Sequence, residues 1–156
     1  SYDDPNTDAV VASAISVIES LHPEVYTIAE CLEEKHRVLF RSVDCNAIVQ
    51  GLKIADNLLV QEVHDPGVVQ MADVITSNLK GGTLFSSEVG ESTPKIDYHQ
   101  IVKNLLDKDI NVLCINRGTD TMTTFRDQHP KPGDRIVYVA NKRRSWPELK
   151  KEAQVA

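Results

Sequence analysis

The chain lacks a glycine-rich phosphate loop: no Gly-x-Gly-x-x-Gly occurs in its 156 residues. Nothing in it replaces the backbone N–H cradle that a nucleotide phosphate needs, so no nucleotide-contact residue is assigned. It also lacks an apolar run approaching the length of a bilayer span, and a signal-peptide pattern at its start. The chain is expected to be soluble, by itself or as the water-exposed part of a longer membrane protein. Positive charge is scarce: 17 Lys and Arg against 23 Asp and Glu leave a net charge of -6, which argues against nucleic acid as a partner. The one basic cluster is Lys142, Arg143 and Arg144, with Lys150 and Lys151 following. A solvated face suits it better than a phosphate or lipid-headgroup contact. Cys31, Cys45 and Cys114 are odd in number and share no metal-ligand spacing. Cys31 and Cys114 lie in apolar, strand-like runs, which predicts buried reduced thiols and a reducing cytosol. His36, His64, His99 and His129 are scattered without metal spacing. No strand–turn–helix elbow surrounds Cys31 or Cys45 to make either a nucleophile.

What is present is ordinary globular composition, 41% hydrophobic and 26% charged, long enough for one domain or two small ones. Asn6 or Thr7 is placed to cap a helix, on which Val10, Val11, Ala14, Ile15, Ile18 and Leu21 form an apolar stripe ended by His22 and Pro23. Val25 to Glu30 predicts a buried parallel strand, Glu33 to Ser42 a helix, and Asn46 to Val49 a very short strand. Leu52 to Val63 is an amphipathic helix stopped by Asp65, Pro66 and Gly67. Another helix runs from Val68 to Ser77, and Gly81 and Gly82 end that half. This order is the second half of a doubly wound fold without its first half. Two parallel strands cannot cover both of their own faces. The chain is therefore expected to begin mid-domain, or to borrow strands from a partner.

The second half opens with a strand at Thr83 to Val89 and a helix capped by Asp97, with Ile101, Val102, Leu105 and Leu106 facing inward. Strands follow at Asn111 to Asn116, Thr121 to Phe125 and Arg135 to Ala140, then a helix at Trp146 to Ala153 with Pro147 in its first turn. Pro130, Pro132, Gly133 and Asp134 make a rigid turn before the last long strand, Gly133 supplying φ > 0.

That order, with its Pro-x-Pro-Gly-Asp-Arg-Ile turn, resembles the C-terminal lobe of RCK domains, the TrkA-type regulators of potassium conductance. Asp8 to Ile15 (DAVVASAI) and His22 to Glu30 (HPEVYTIAE) are similar to the later part of the N-lobe of the same family. Leu58 to Val68 (LLVQEVHDPGV) resembles the helix–turn–helix crossover between the lobes. The resemblance covers nearly all of the chain. It implies an α/β fold: a partial, truncated Rossmann-like lobe with crossover helices over residues 1–80, an RCK C-terminal lobe over 81–142, and a basic tail or helix over 143–156.

By this resemblance the chain is a regulatory gating-ring domain on the cytoplasmic side of the membrane, not an enzyme. It would form a homodimer or larger ring attached to the pore domain of a potassium channel. The alternative within the fold is a soluble TrkA-like subunit of a potassium transporter. The alternative of another class is a small nucleotide-dependent enzyme fragment, which would need a clustered acid–base pair in a pocket, and none stands out. The expected dimer contact is the crossover, through Leu58, Leu59, Val63, Val68, Val69, Met71 and Val74, with intramolecular core as the competing role. A nucleotide of NAD or ATP type would require the absent N-terminal half. Ca²⁺ is the other ligand implied, held by Asp4 and Glu30 at matching positions. Leu32 stands where the family pattern has a second acid, leaving Glu33 or Glu34 as substitutes, and Ca²⁺ wants six to eight oxygens. Solvated acids near helix starts are the plainer account. Asp4 to Asp8 is similar to the start of an EF-hand loop, but Ala9 replaces its glycine and Ile15 its final glutamate. Arg117, Gly118 and Asp134 are weighed as the frame of a small anion or amino-acid site, against simple turn chemistry.

Overall fold

The computed structural model describes residues 6–77 and 82–153. It divides into two compact units, residues 1–69 and 70–156. Asp4 and Gly81 lie outside the described residues.

In the first unit, helix α1 (Thr7–Leu21) is followed by strand β1 (Ile28–Glu30), helix α2 (Arg37–Ser42), strand β2 (Ala47–Val49) and helix α3 (Gly51–His64). β1 and β2 pair in parallel, Ile28 opposite Ala47 and Glu30 opposite Val49. The core is small: Ala12, Ile15, Ala29, Cys31 and Phe40 are buried, with Val11, Val43, Cys45 and Ile48 packed against them.

β1 starts three residues later than the β-rich run from Val25 predicts. The Thr27 carbonyl accepts from Ala47 N–H of β2 at 3.1 Å, but its N–H is taken by a side chain, donating to Asn46 Oδ1 at 2.6 Å. The helix expected from Glu33 opens as a 3-10 turn over Glu34–His36 before α2 begins. On α2, Phe40 is buried whereas Val38 is exposed, so the apolar face expected of Val38, Leu39 and Phe40 points inward at Phe40 alone. Cys31 is buried, Cys45 and Cys114 are half-buried, and all three are free thiols.

Helix α4 (Val68–Thr76) spans the boundary between the units. In the second unit β3 (Thr83–Glu88), β4 (Asn111–Arg117), β5 (Asp120–Met122) and β6 (Arg135–Ala140) form an antiparallel sheet in the order β3-β6-β4-β5. Helices α5 (Tyr98–Leu106) and α6 (Trp146–Glu152) complete it. The two-residue alternation expected of a half-buried strand is clear in β6, where Ile136, Tyr138 and Ala140 are buried and the residues between are not. These residues join Ile101, Leu105, Ile115, Trp146 and Leu149 in one core. Asp97 caps α5 by accepting from Gln100 N–H at 3.0 Å, as its sequence position predicts. At α6, the Glu148 carboxylate takes the Ser145 N–H at 2.7 Å, and Pro147 sits in the first turn, where no N–H is missed. β5 ends at Met122 instead of Phe125, because the Phe125 carbonyl accepts from Gln128 N–H in a turn through Asp127, whose φ is 60°. The fold is thus mixed α/β, with a parallel sheet in one unit and an antiparallel sheet in the other.

Candidate interaction surface and carboxylate sites

A helix of a small domain ordinarily buries one stripe. α3 buries none of its 14 residues. Leu59 and Val63 are 65% and 79% exposed, and Leu52 and Val60 are exposed as well. Leu52, Leu59 and Val63 recur at i, i+7 and i+11, which places them on one face. Leu52, Ile54 and Val60 are absent from the contact set predicted from sequence, although the helical spacing of Leu52 was there to be used. Leu58 and Val68 are half-buried, and Val69, Met71 and Val74 are exposed.

The turn that ends α3 is built by Glu62. Its carboxylate accepts from Gly67 N–H at 2.9 Å and from Val69 N–H at 2.8 Å, and these two bonds hold it below the usual carboxylate range. Gly67 has φ 107°, a conformation that side chains with a Cβ rarely adopt. The turn is therefore fixed by one acid and one glycine, and the first residues of α4 receive from Glu62 the capping that helix N-termini require.

Glu30 ends β1, at the edge where ligands collect in parallel sheets. Its carboxylate lies over the first turn of α3, where a Cβ added at Gly51 would sit 2.7 Å from Oε1. A negative charge there complements the helix dipole. The acids proposed as substitutes are already engaged: Glu33 pairs with Lys35 at 2.6 Å and Glu34 with Lys53 at 2.8 Å. Leu32 contributes its N–H to Asp8, not an oxygen to a cation. Among the described residues no group of three or more His, Cys, Asp or Glu could hold a metal ion. Ca²⁺ takes six to eight oxygens, and Asp4, the other ligand expected from the sequence, lies outside the described residues.

Asp8 is a carboxylate that the sequence does not single out. It stands in the first turn of α1, 3% exposed, and accepts from Leu32 N–H (3.0 Å), Glu33 N–H (3.1 Å) and His36 Nδ1 (2.9 Å). Burial would push its carboxyl up, but these donors outweigh it and hold the group below the usual range. Asp8 thereby ties α1 to the loop leaving β1.

Asp134 plays the equivalent part in the second unit. It is 1% exposed, bonded to Arg117 Nε through Oδ1 at 2.7 Å, and to Arg117 Nη2, the Tyr98 hydroxyl and Lys131 N–H through Oδ2. Burial opposes its charge, and the Arg117 fork and the Tyr98 hydroxyl overcome that opposition, leaving its carboxyl lowered. Burial and the facing carboxylate push the Tyr98 phenol well above its ordinary range. Arg117 and Asp134 are therefore brought together as an internal bidentate pair that locks the Pro130 to Asp134 turn. The Nε and Nη2 of Arg117 are both committed to Asp134, and Nη2 donates also to the His129 carbonyl at 2.8 Å.

Among the described residues no helix is long and apolar enough to cross a membrane. No protein-family model and no curated protein matches the chain. Among solved structures it is similar to the human SLO3 gating ring, with a TM-score of 0.66 at 9% identity, over 94% of this chain and 31% of that one. A GsuK channel bound to NAD aligns over 96% of this chain and 25% of that one, at 13% identity and a TM-score of 0.37. The GsuK RCK domain aligns over 94% and 30%, at 13% identity and a TM-score of 0.36. The chain spans less than a third of the length of each. The SLO3 segment is the match whose score bears on architecture, and at 9% identity what it establishes is the fold: two α/β units arranged in sequence as in part of a gating ring.

Proposed function

We propose that the chain is a regulatory, non-catalytic portion of an RCK-type gating ring of a potassium channel, acting on the cytoplasmic side of the membrane. Residues 1–80 are the later part of the N-lobe with its crossover helices, 81–142 the C-terminal lobe, and 143–156 a basic terminal segment. The chain pairs with a second copy through Leu58, Leu59, Val63, Val68, Val69, Met71 and Val74, to which Leu52 and Val60 are added. The observation that carries this reading is α3, fourteen residues long with none buried and an apolar face open along its length. Such a face marks a protein–protein contact. The fold shared with the SLO3 gating ring supports the kind of assembly.

Ligand binding in such a ring acts by biasing two arrangements of a paired interface, and the difference in affinity for the two sets how far the pore's equilibrium moves. Ca²⁺ at Asp4 and Glu30 is the ligand proposed for this portion. Calorimetry with Ca²⁺ tests that ligand, since Glu30→Gln must abolish any heat that the parent chain shows.

Light scattering at about 50 μM, a concentration at which a micromolar interface is mostly formed, tests the pairing. The parent chain is expected at a multiple of 17.4 kDa, and the double variant Leu59→Glu, Val63→Glu at one chain mass. A monomeric parent chain would overturn the reading.

A further inference from the structure

β3 is an outer strand of its sheet, hydrogen-bonded to β6 on one side. The ladder continues past Glu88, where Val89 N–H donates to the Asp134 carbonyl at 2.8 Å and Gly133 N–H to the Val89 carbonyl at 2.9 Å. Antiparallel residues alternate between facing their partner and facing away. Phe85, Ser87 and Val89 therefore spend their backbone groups on β6, while Leu84, Ser86 and Glu88 turn theirs outward. Among the described residues no backbone hydrogen bond crosses that outer edge from Ser86 or Glu88. The β3–β6 register is unbroken over six residues, and no proline, lysine or bulge blunts the edge. An edge of this kind is a template for another strand.

The edge is also the floor of a groove of about 600 Å³, lined by Ser86, Ser87, Glu88, Arg135, Arg143 and Trp146 among others. One wall is fixed in place. The Ser87 hydroxyl donates to the Arg144 carbonyl, and Arg144 N–H donates to the Tyr138 hydroxyl at 2.6 Å. The three arginines of the groove are used differently. Arg144 is bound to Glu152 at 2.7 Å and Arg135 to Glu88 at 2.8 Å. Arg143 stands over the Phe85 ring, 5.9 Å from its centroid, with no carboxylate within 4.0 Å among the described residues. Glu88 and Glu148 also line the groove, so its three arginines leave a surplus of one positive charge. Arg143, in the one basic cluster of the sequence, is the arginine that carries it.

We infer that the β3 edge is a docking site for an acidic segment in extended conformation. The segment adds a fifth strand beside β3, its main chain pairing with Ser86 and Glu88. Carboxylates at alternate positions of the segment share one of its faces and meet Arg143 on the helix-covered side. Main-chain pairing supplies affinity in this mode, and the flanking side chains supply the choice of partner. The surface belongs to the second unit, and the inference does not rest on the pairing proposed for α3.

The test uses the full chain and a fluorescein-labelled octapeptide of alternating Glu and Val, followed by anisotropy. Binding is expected. It should weaken about tenfold in Arg143→Glu, the loss of one charge-assisted contact, and vanish when alternate amides of the peptide are N-methylated, since those can no longer pair. A Lys and Val peptide of the same length should not bind. The proposal is overturned if the acidic peptide fails to bind at about 1 mM chain, if N-methylation leaves binding intact, or if Arg143→Glu changes nothing. Association that survives Leu59→Glu, Val63→Glu but is dissolved by Arg143→Glu would place a second copy on this edge, and would equally overturn it.

Discussion

The two units treat apolar surface in opposite ways. In the second, thirteen buried residues form one cluster on the helix-covered face of a four-stranded sheet, Tyr98, Leu105, Ile115 and Tyr138 among them with no exposure at all. In the first, five apolar residues are buried among the described residues, while Val10, Leu21, Tyr26, Ile28 and Val38 are each more than half exposed. The cause is topological. A four-stranded antiparallel sheet with two helices on one side can close around its own core, whereas a pair of parallel strands has two faces that need cover. The second unit is built to hold its shape alone. The first leaves apolar surface exposed, on α3 among other elements.

The comparison predicts that the units unfold separately. Trp146 is the one tryptophan, and it sits in the core of the second unit, so its fluorescence reports that unit while far-UV circular dichroism reports both. In urea, the dichroism signal should begin to fall before the fluorescence changes. Phe40→Ala, at a fully buried position of the small core, is expected to cost the first unit about 3–5 kcal/mol. That is enough to unfold it in buffer, with the Trp146 transition unmoved. Coincident transitions that shift together would break the contrast.

A somewhat smaller effect is expected from Asp134→Ala in the second unit. It leaves the Arg117 guanidinium and the Tyr98 hydroxyl without their acceptor, a loss of about 3 kcal/mol that the fluorescence transition should report. Asp134→Asn keeps an acceptor for Tyr98 and should lose less. If Asp134→Ala moved the dichroism transition of the first unit and left Trp146 unchanged, the assignment of this carboxylate to the second core would fail.

Acid should act on both units. Asp8 and Asp134 have folded-state values below those of the unfolded chain, so each contributes stability that is complete above the ordinary carboxylate value of about 3.9. That stability disappears as pH falls through the lower folded values. Asp8→Asn should flatten the acid limb of the first transition alone, and Asp134→Asn that of the Trp146 transition alone. A stability curve that stays level from neutral pH to pH ~2 in the parent chain would show that neither carboxylate is held as described.

The sequence carries the elements well where periodicity decides them, as in the existence of α1 and the alternation of β6, although of the stripe expected on α1 only Ile15 is buried. It fails at ends set by distant partners. Val25 to Thr27 has strand composition, yet Asn46 captures Thr27, and the strand is shortened to Ile28–Glu30. The start of α2 is delayed because Asp8, 24 residues before Leu32, takes the N–H groups of Leu32 and Glu33 and holds the ring of His36. The surplus of apolar residues on α3 and α4 was visible, since composition alone shows more than a short helix pair buries. The two carboxylate hubs were not. Their partners lie up to 36 residues away in sequence, and no local spacing announces a pair that only the fold brings together.

The smallest predicted effect concerns Glu30 and Gly51, where the contrast between units meets a ligand question. A Cβ at Gly51 would contact only the far end of the Glu30 side chain, which can swing away. Gly51→Ala therefore trades a helix-dipole contact of about 0.3–1 kcal/mol for a gain of similar size from removing a helical glycine. Thermal unfolding of the first unit should shift by no more than a few degrees in either direction, because the two terms nearly cancel. In Glu30→Gln the dipole contact is lost without the compensating gain, so that variant should be the less stable of the two. If Gly51→Ala instead destabilised the first unit strongly, Glu30 would have to be held by partners too rigid to let its carboxylate move. The end of β1 would then be a fixed site.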